Sequence, residues 1–395
     1  MAFSLKKYSD EIYARLKKAN PTGYAFYLID QTKASPPRFG SDGYALRKYD
    51  VGGVTDSPGY YWTGLAHHEK RRQEVMSLSK TITAAAVMAL VFSEDSPLED
   101  GLDSDVADFL PQSWDTTNIS GLTFRNLLQH KGGLTEMGED GAHLPRDGNG
   151  HGEGPCTYPK MMLSIKLGGV GGGKALYQNI NYGLFRIIIP YVLLNQGSKQ
   201  ILDNLASKVK PEFFDWLLGS LYVSYVNQSI LEPCGIEKAS VRPAPGKPRT
   251  RYYWCDNPQL FSEGDYPDPF RSCAATGWQL SAKEYAEFIH GVSSGKPFVG
   301  KVEDPGLPWR VMISDGFGLN PFGIIPTVQG IYAMHGGQAG PTKGAGSGIE
   351  TGWLWVGLGN LNKGVVASLL VNCHGDGFHS EEPKLILRAA YEAAL

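Results

Sequence analysis

The chain has 395 residues, of which 42% are hydrophobic and 19% are charged. This length and composition predict a globular protein with a sizeable core, built as two domains or as one large domain with an insertion. The formal net charge is −3, which gives no electrostatic attraction to nucleic acid or to an anionic membrane surface. The longest apolar run, at 82–92, is too short to span a bilayer. We therefore expect neither nucleic acid nor a membrane as a partner.

The first 18 residues and the cysteines indicate in which cellular compartment the protein is located. Apolar residues recur at the spacing of one helix face at Phe3, Leu5, Tyr8, Ile12 and Leu16. This pattern predicts an amphipathic helix over 1–18 and not the apolar core of a secretion signal. The five cysteines are widely spaced and form no Cys-x-x-Cys motif, which favours reduced thiols. Both observations predict a cytoplasmic location.

Taken in order, the chain first shows a strand at 24–30 that ends in a turn. His67 and His68 follow in a charged segment. A histidine pair suggests a metal site, but no third ligand stands at a recognisable spacing. We interpret this segment as a surface loop and expect no metal.

Ser77 and Lys80 form a Ser-x-x-Lys motif at the start of a nearly uncharged run of helix-forming residues. Residues three apart share a helix face, and a helix N-terminus favours developing negative charge. A lysine whose pKa is lowered by burial can act as the base that activates a serine. The motif also occurs at Ser4–Lys7, Ser207–Lys210 and Ser293–Lys296. Those copies lie in surface-like segments or in a turn, and only Ser77 opens a helix that is predicted to be buried.

Thr123 is predicted to cap a short helix that ends at Gly132 and Gly133. His130 falls in its last turn, where a structural role is favoured over a catalytic one. The polar stretch 135–174 that follows is long enough to border a site.

A glycine run at 168–174 is similar to a phosphate-binding loop, and the preceding residues 161–167 could form its strand. Ala175 stands where that motif needs a hydroxyl residue to hold magnesium. We interpret the run as a flexible loop, so that nucleotide binding is the minor alternative and no cofactor is expected.

Tyr177 and Asn179 stand two residues apart, before an apolar helix predicted at 184–194. A tyrosine here can relay a proton, and an asparagine can hydrogen-bond a substrate amide. The alternative is a buried aromatic residue and a helix cap, since a second Tyr-x-Asn occurs at Tyr225 and Asn227.

The last third alternates like an antiparallel sheet, with strands at 330–334, 353–357 and 365–372, and a helix over 382–395 closes the chain. After the first of these strands comes His335-Gly336-Gly337-Gln338. Two glycines at a strand end allow a substrate backbone to approach closely.

The order of these motifs resembles the serine β-lactamase-like family, which includes class C β-lactamases, D,D-peptidases, D-aminopeptidases and family VIII carboxylesterases. The resemblance rests on 76–81, 127–134, Tyr177-x-Asn179 and His335-Gly336-Gly337, and it spans almost the whole chain. It implies an α+β fold with an antiparallel sheet flanked by N- and C-terminal helices and an inserted, mostly helical domain. The implied domains are 1–74 with 275–395 and the insertion 75–274, with the active site at their junction.

The resemblance also implies roles for individual residues. Ser77 would be the acylated nucleophile, Lys80 and Tyr177 would handle protons, and Asn179 would contact the acyl side chain. The backbone N–H groups of Ser77 and Gln338 would form an oxyanion hole.

The third motif departs from the family's Lys-Thr-Gly, because His335-Gly336-Gly337 lines the implied substrate site instead. A mostly neutral histidine binds a substrate carboxylate less strongly than lysine does. The prediction is a cofactor-free serine hydrolase that forms an acyl-enzyme with a small-molecule ester or small amide. The alternatives are a D-amino-acid aminopeptidase or amidase, an acyltransferase, a β-lactamase, and a binder of β-lactams or peptidoglycan fragments that does not turn them over. Oligomeric state is not predicted.

Overall fold

The fold is α+β, with an antiparallel sheet between terminal helices and a mostly helical layer, as the sequence predicts. The computed structural model describes residues 3–46, 65–134, 157–168, 175–194, 196–242, 250, 252–254, 261–262, 273–319, 323–327, 330–339, 349–358, 360–374 and 383–395. Of the predicted polar stretch 135–174, residues 135–156 and 169–174 lie outside these residues.

The helices and strands are numbered here in chain order. The α-helices are α1 Leu5–Ala19, α2 Ser79–Val91, α3 Phe124–Leu128, α4 Tyr158–Leu167, α5 Asn179–Gly183, α6 Phe185–Leu193, α7 Gln196–Ala206, α8 Pro211–Val226, α9 Ala282–Ser293, α10 Leu307–Asp315 and α11 Pro383–Ala394. The strands are β1 Gly23–Asp30, β2 Arg38–Leu46, β3 Leu65–Ala66, β4 Gln73–Glu74, β5 Tyr252–Trp254, β6 Phe261–Ser262, β7 Gln279–Leu280, β8 Ile324–Thr327, β9 Gly330–Ala339, β10 Ile349–Leu358, β11 Asn360–Val371 and β12 Cys373–His374.

The main sheet joins the two ends of the chain. Its strand order is β3-β2-β1-β11-β10-β9-β8, and each neighbouring pair is antiparallel. At its centre β1 pairs with β11, so that Tyr24 lies opposite Val371. The exact division of the chain at 74/75 and 274/275 remains a prediction.

The sheet is covered on both faces, which explains the continuous apolar runs in its central strands. On one face Phe26, Leu28 and Leu369 pack with residues of α1 and α11. On the other face Ala25 and Leu370 join the larger core that contains α2 and α9. Every side chain of α2 from Ser79 to Leu90 is buried. The helix that follows Ser77 is therefore a core element, as its lack of charge predicts.

Residues 161–167, for which the sequence suggested a strand, form most of α4. The buried Tyr158, Met161 and Ile165 recur every three or four residues, which is a helical period. The strand that a phosphate-binding loop requires is therefore missing.

His67 corrects the interpretation of its segment as a surface loop, because its side chain is buried. Its Nε2 lies 2.9 Å from Gln73 Oε1, and burial lowers its pKa to about 4. His67 is thus a neutral core residue. The described residues contain no group of three or more His, Cys, Asp or Glu side chains that could hold a metal ion.

The expectation of reduced cysteines does not hold throughout the chain. Cys234 and Cys273 are buried thiols outside any disulfide, but Cys373 is disulfide-bonded. Cysteine usage therefore no longer supports a cytoplasmic location. In the part of the chain that the structure describes, no helix has the length and apolar character needed to cross a membrane.

Candidate active site

Ser77 lies in a strained turn between a strand and a helix. The strand β4, Gln73–Glu74, pairs with β7 and leads into a single 3₁₀ turn, Met76–Leu78, before α2 begins at Ser79. The sequence predicted that Ser77 itself opens the α-helix. Met76 has a φ of 51°, a left-handed conformation that is uncommon for a side chain of this size. The turn leaves Ser77 partly exposed while its neighbours Met76 and Leu78 are buried.

Lys80 is fully buried and is surrounded by hydrogen-bond acceptors. Its Nζ lies 3.0 Å from Ser77 Oγ, 2.8 Å from Asn179 Oδ1 and 3.1 Å from the Ala275 carbonyl. An ammonium group has three N–H donors, so each donor has a partner. A neutral amine at this position can accept the Ser77 proton and still donate to the other two groups.

Tyr177 and Asn179 converge on Lys80 from the opposite wall. Asn179 is the first residue of α5 and contacts Lys80 directly. The centre of the Tyr177 ring lies 4.8 Å from Lys80 Nζ. The four residues from two distant parts of the sequence thus form one cluster, with Lys80 at its centre.

His130 belongs to this cluster, although the sequence favoured a purely structural role for it. It follows α3 with a φ of 55°, and its ring centre lies 4.4 Å from that of Tyr177. Its Nδ1 accepts the Gln178 backbone N–H at 3.3 Å. Burial, aided by the Lys80 charge, holds its pKa well below the usual value. No local pattern connects His130 with Tyr177, because only the tertiary fold brings them together.

His335 forms the third wall, from β9. It is completely buried, and its ring centre lies 6.4 Å from that of Tyr177. Its Nδ1 donates to the Gly336 carbonyl at 2.5 Å, and its Nε2 has no hydrogen-bond partner among the described residues. Burial and the Lys80 charge lower its pKa to about 3. The ring is therefore neutral at physiological pH.

The two glycines after His335 face opposite sides of the sheet. A Cβ on Gly337 would lie 2.4 Å from Thr351 Oγ1 and 2.9 Å from the Val75 carbonyl, so only glycine allows β9 to approach the Ser77 turn so closely. A Cβ on Gly336 would instead meet the end of the Lys384 side chain at 3.3 Å. Gly337 thus borders the site, whereas Gly336 faces α11. The side chain of Gln338, the next residue, is exposed.

The fold is that of the β-lactamase-family serine hydrolases, and the chain belongs to the Beta-lactamase family, whose model matches residues 58–391. A comparison with curated proteins found no match.

Solved structures agree on the fold, which is that of the β-lactamases and transpeptidases. An octameric penicillin-binding protein homologue from Pyrococcus abyssi is 19% identical with a TM-score of 0.61, over 99% of this chain and 77% of that chain. A D-amino acid amidase from Ochrobactrum anthropi is 14% identical with a TM-score of 0.57, over 98% and 96% of the two chains. A class C β-lactamase from Rhodobacter sphaeroides is 14% identical with a TM-score of 0.58, over 98% of each chain.

Proposed function

We propose that the protein is a serine hydrolase that forms an acyl-enzyme on Ser77 and cleaves carboxylic esters or small amides. The observation that carries the proposal is the set of three contacts from Lys80 Nζ to Ser77, Asn179 and the Ala275 carbonyl. Moving a proton from Ser77 to Lys80 breaks neither of the other two hydrogen bonds. Lys80 is therefore suited to act as a base and then as an acid.

In the acylation step, the Ser77 Oγ–H proton moves to neutral Lys80 as Oγ forms a bond to the substrate carbonyl carbon. The bond from that carbon to the leaving oxygen or nitrogen then breaks, and the leaving atom takes a proton through the pair Lys80 and Tyr177. Water attacks the resulting ester, which releases the acid and regenerates Ser77. The N–H groups of Ser77 and Gln338 are proposed to stabilise the oxyanion in both steps.

His335 supports a substrate that carries no carboxylate near the scissile bond. A cation binds a carboxylate more strongly than a neutral group does, and the pKa of about 3 leaves this ring uncharged. An ester or a small amide fits this wall better than a β-lactam with its acidic group.

A D-amino-acid amide is the second candidate substrate class, and His335 Nε2 supports it. This buried nitrogen is an acceptor without a hydrogen-bond partner among the described residues, since Nδ1 carries the proton. The ammonium group of an amino-acid amide could donate a hydrogen bond to this nitrogen. A D-amino acid amidase is also among the proteins with this fold.

The first test measures p-nitrophenyl butyrate hydrolysis by stopped flow, together with the intact mass of the protein. We expect a burst of p-nitrophenol and one acyl adduct on Ser77, both lost in Ser77→Ala. Ser207→Ala is the matched control, because Ser207 begins another Ser-x-x-Lys motif in an exposed segment. Full activity in Ser77→Ala would refute the proposal.

A substrate panel then separates the finer alternatives. D- and L-amino-acid amides, added with and without an amine acceptor, test amidase and acyltransferase activity. Nitrocefin and ampicillin test β-lactam turnover, and a stable lactam adduct on Ser77 without turnover would indicate a binder.

A further inference from the structure

We infer that Thr351 is a positioning residue, which sets the spacing between the Ser77 turn and the edge of β9. The inference rests on the proposed acyl-enzyme function and concerns a residue to which the sequence assigned no role. Thr351 lies on β10 and is completely buried. Its hydroxyl contacts two backbone carbonyls, so its effect would be exerted through the backbone.

The contact that supports this role is a hydroxyl between two carbonyl oxygens. Thr351 Oγ1 lies 3.0 Å from the Val75 carbonyl and 3.2 Å from the Gly337 carbonyl. Val75 precedes Ser77 by two residues, and Gly337 directly precedes Gln338. One side chain therefore connects the backbone just before each of the two proposed oxyanion-hole donors.

Thr351 itself is held firmly. In the sheet it lies opposite Gly337 on one side and opposite Leu370 on the other, so its strand is paired along both edges. A β-branched side chain also has few accessible rotamers. The hydroxyl is therefore a fixed point against which both the turn and β9 are aligned.

The surrounding packing shows how close this alignment is. The Cβ that Gly337 lacks would lie 3.0 Å from Met76 Cβ and 2.9 Å from the Val75 carbonyl. Met76, which has the left-handed φ described above, is one of the residues at this contact. The strand and the strained turn thus meet main chain to main chain, and a small change in the hydroxyl contact is expected to move one relative to the other.

Misalignment of the donors should reduce the stabilisation of the charge that develops on the carbonyl oxygen, and it should affect ground-state binding less. The test compares Thr351→Val, which keeps the shape and removes the hydroxyl, with Thr351→Ser, which keeps the hydroxyl. The substrates are p-nitrophenyl butyrate and its thiono counterpart, in which sulfur replaces the carbonyl oxygen. Sulfur accepts hydrogen bonds weakly, so the thiono ester depends less on the donors.

For Thr351→Val we expect kcat for the oxygen ester to fall by about 10- to 100-fold, below the effect of deleting a donor outright. KM should change by less than about threefold, and the ratio of the oxygen-ester rate to the thiono-ester rate should fall. Thr351→Ser should restore both the rate and the ratio. If Thr351→Val fails to fold, Thr351→Ala removes the hydroxyl without placing a methyl group against the two carbonyls, with Thr351→Ser again as its control.

Wild-type kcat in Thr351→Val, or equal losses for the two esters, would overturn the inference while leaving Ser77 chemistry intact. Failure of Thr351→Ser to restore the ratio would also overturn it. Absence of any Ser77 adduct in the wild type, measured first by intact mass, would refute the proposed function and this inference together.

Discussion

At the scale of single residues, Lys80 combines complete burial with a full set of hydrogen-bond partners. Burying an unpaired ammonium group would cost several kcal/mol, on the order of the penalty for a buried ion, and the three acceptors around Nζ offset this cost. Two of these acceptors, Ser77 Oγ and Asn179 Oδ1, are groups that are also proposed to act on the substrate. The contact in which the ammonium group donates to Ser77 Oγ is thus the same contact through which the neutral amine would accept the Ser77 proton.

Tyr177→Phe tests the proton relay at this scale. The ring would keep its place against Lys80 and His130, while the hydroxyl that can pass a proton would be lost. We expect kcat for the ester to fall by about 10²- to 10⁴-fold, the usual contribution of a general acid–base group. Steady-state kinetics at several pH values would measure this.

Tyr225→Phe is the matched control for Tyr177→Phe, because Tyr225 begins the other Tyr-x-Asn sequence and its hydroxyl bonds to the Ala86 carbonyl and to Ser229. It should retain nearly wild-type activity. An active Tyr177→Phe variant that still forms the Ser77 adduct would exclude Tyr177 as the relay.

At the scale of elements, the loop after α10 joins α2 to α5 at Gly318. Thr81 Oγ1 donates to the Gly318 carbonyl at 2.6 Å, and the Gly318 N–H donates to the Tyr182 hydroxyl at 2.7 Å. Gly318 has a φ of 68°, and a Cβ on it would lie 2.6 Å from Thr81 Cα. This one residue therefore couples the helix of Lys80 to the helix of Asn179.

We predict that Gly318→Ala destabilises the protein more than Gly300→Ala does. Gly300 has a similar φ of 71°, but a Cβ there meets no atom within 4 Å. Both variants should lose about 1–2 kcal/mol for the left-handed conformation, and Gly318→Ala should lose a further ~1–3 kcal/mol from overpacking. Urea unfolding of the two variants measures the difference, and equal losses would contradict the clash.

Several elements could be predicted because their signals are local. The predicted cap at Thr123 forms, and the predicted strands near both ends of the sequence and the terminal helices are present with shifted bounds. Residues 161–167 were misassigned because a short apolar run does not distinguish strand from helix. The contacts of His130 and Thr351 could not be predicted, since each joins segments that are distant in sequence.

At the scale of the whole molecule, buried titratable groups make stability depend on pH in opposite directions. Burial, opposed by the Gly277 N–H, raises the pKa of Glu74 to about 7. A raised folded-state pKa gives stability that is complete below the unfolded value of about 4.5 and lost as pH rises through 7. The lowered pKa values of His67 and His335 act conversely, because stability is lost as pH falls below about 6.5.

Glu74→Gln should separate these effects, because an amide keeps the acceptor for Gly277 and does not ionise. Compared with the wild type, the variant should gain about 3 kcal/mol in unfolding free energy between about pH 4.5 and 8. The contributions of His67 and His335 to stability are the same in both proteins, so they cancel when the two unfolding free energies are subtracted. Urea unfolding across this range measures it, and parallel stability curves for the two proteins would contradict a buried, neutral Glu74.

The pairing of β1 with β11 has a consequence for synthesis on the ribosome. β1 is synthesised early and can pair with β2 at once. Its other edge can pair only after residues 365–371 of β11 have been synthesised. Until then the apolar strand β1 presents an open edge, which is a template for aggregation. So many sequence-distant contacts also make folding slow. Truncation from the C-terminus should therefore leave insoluble chains, and chaperones that protect nascent strands should raise the yield of folded protein.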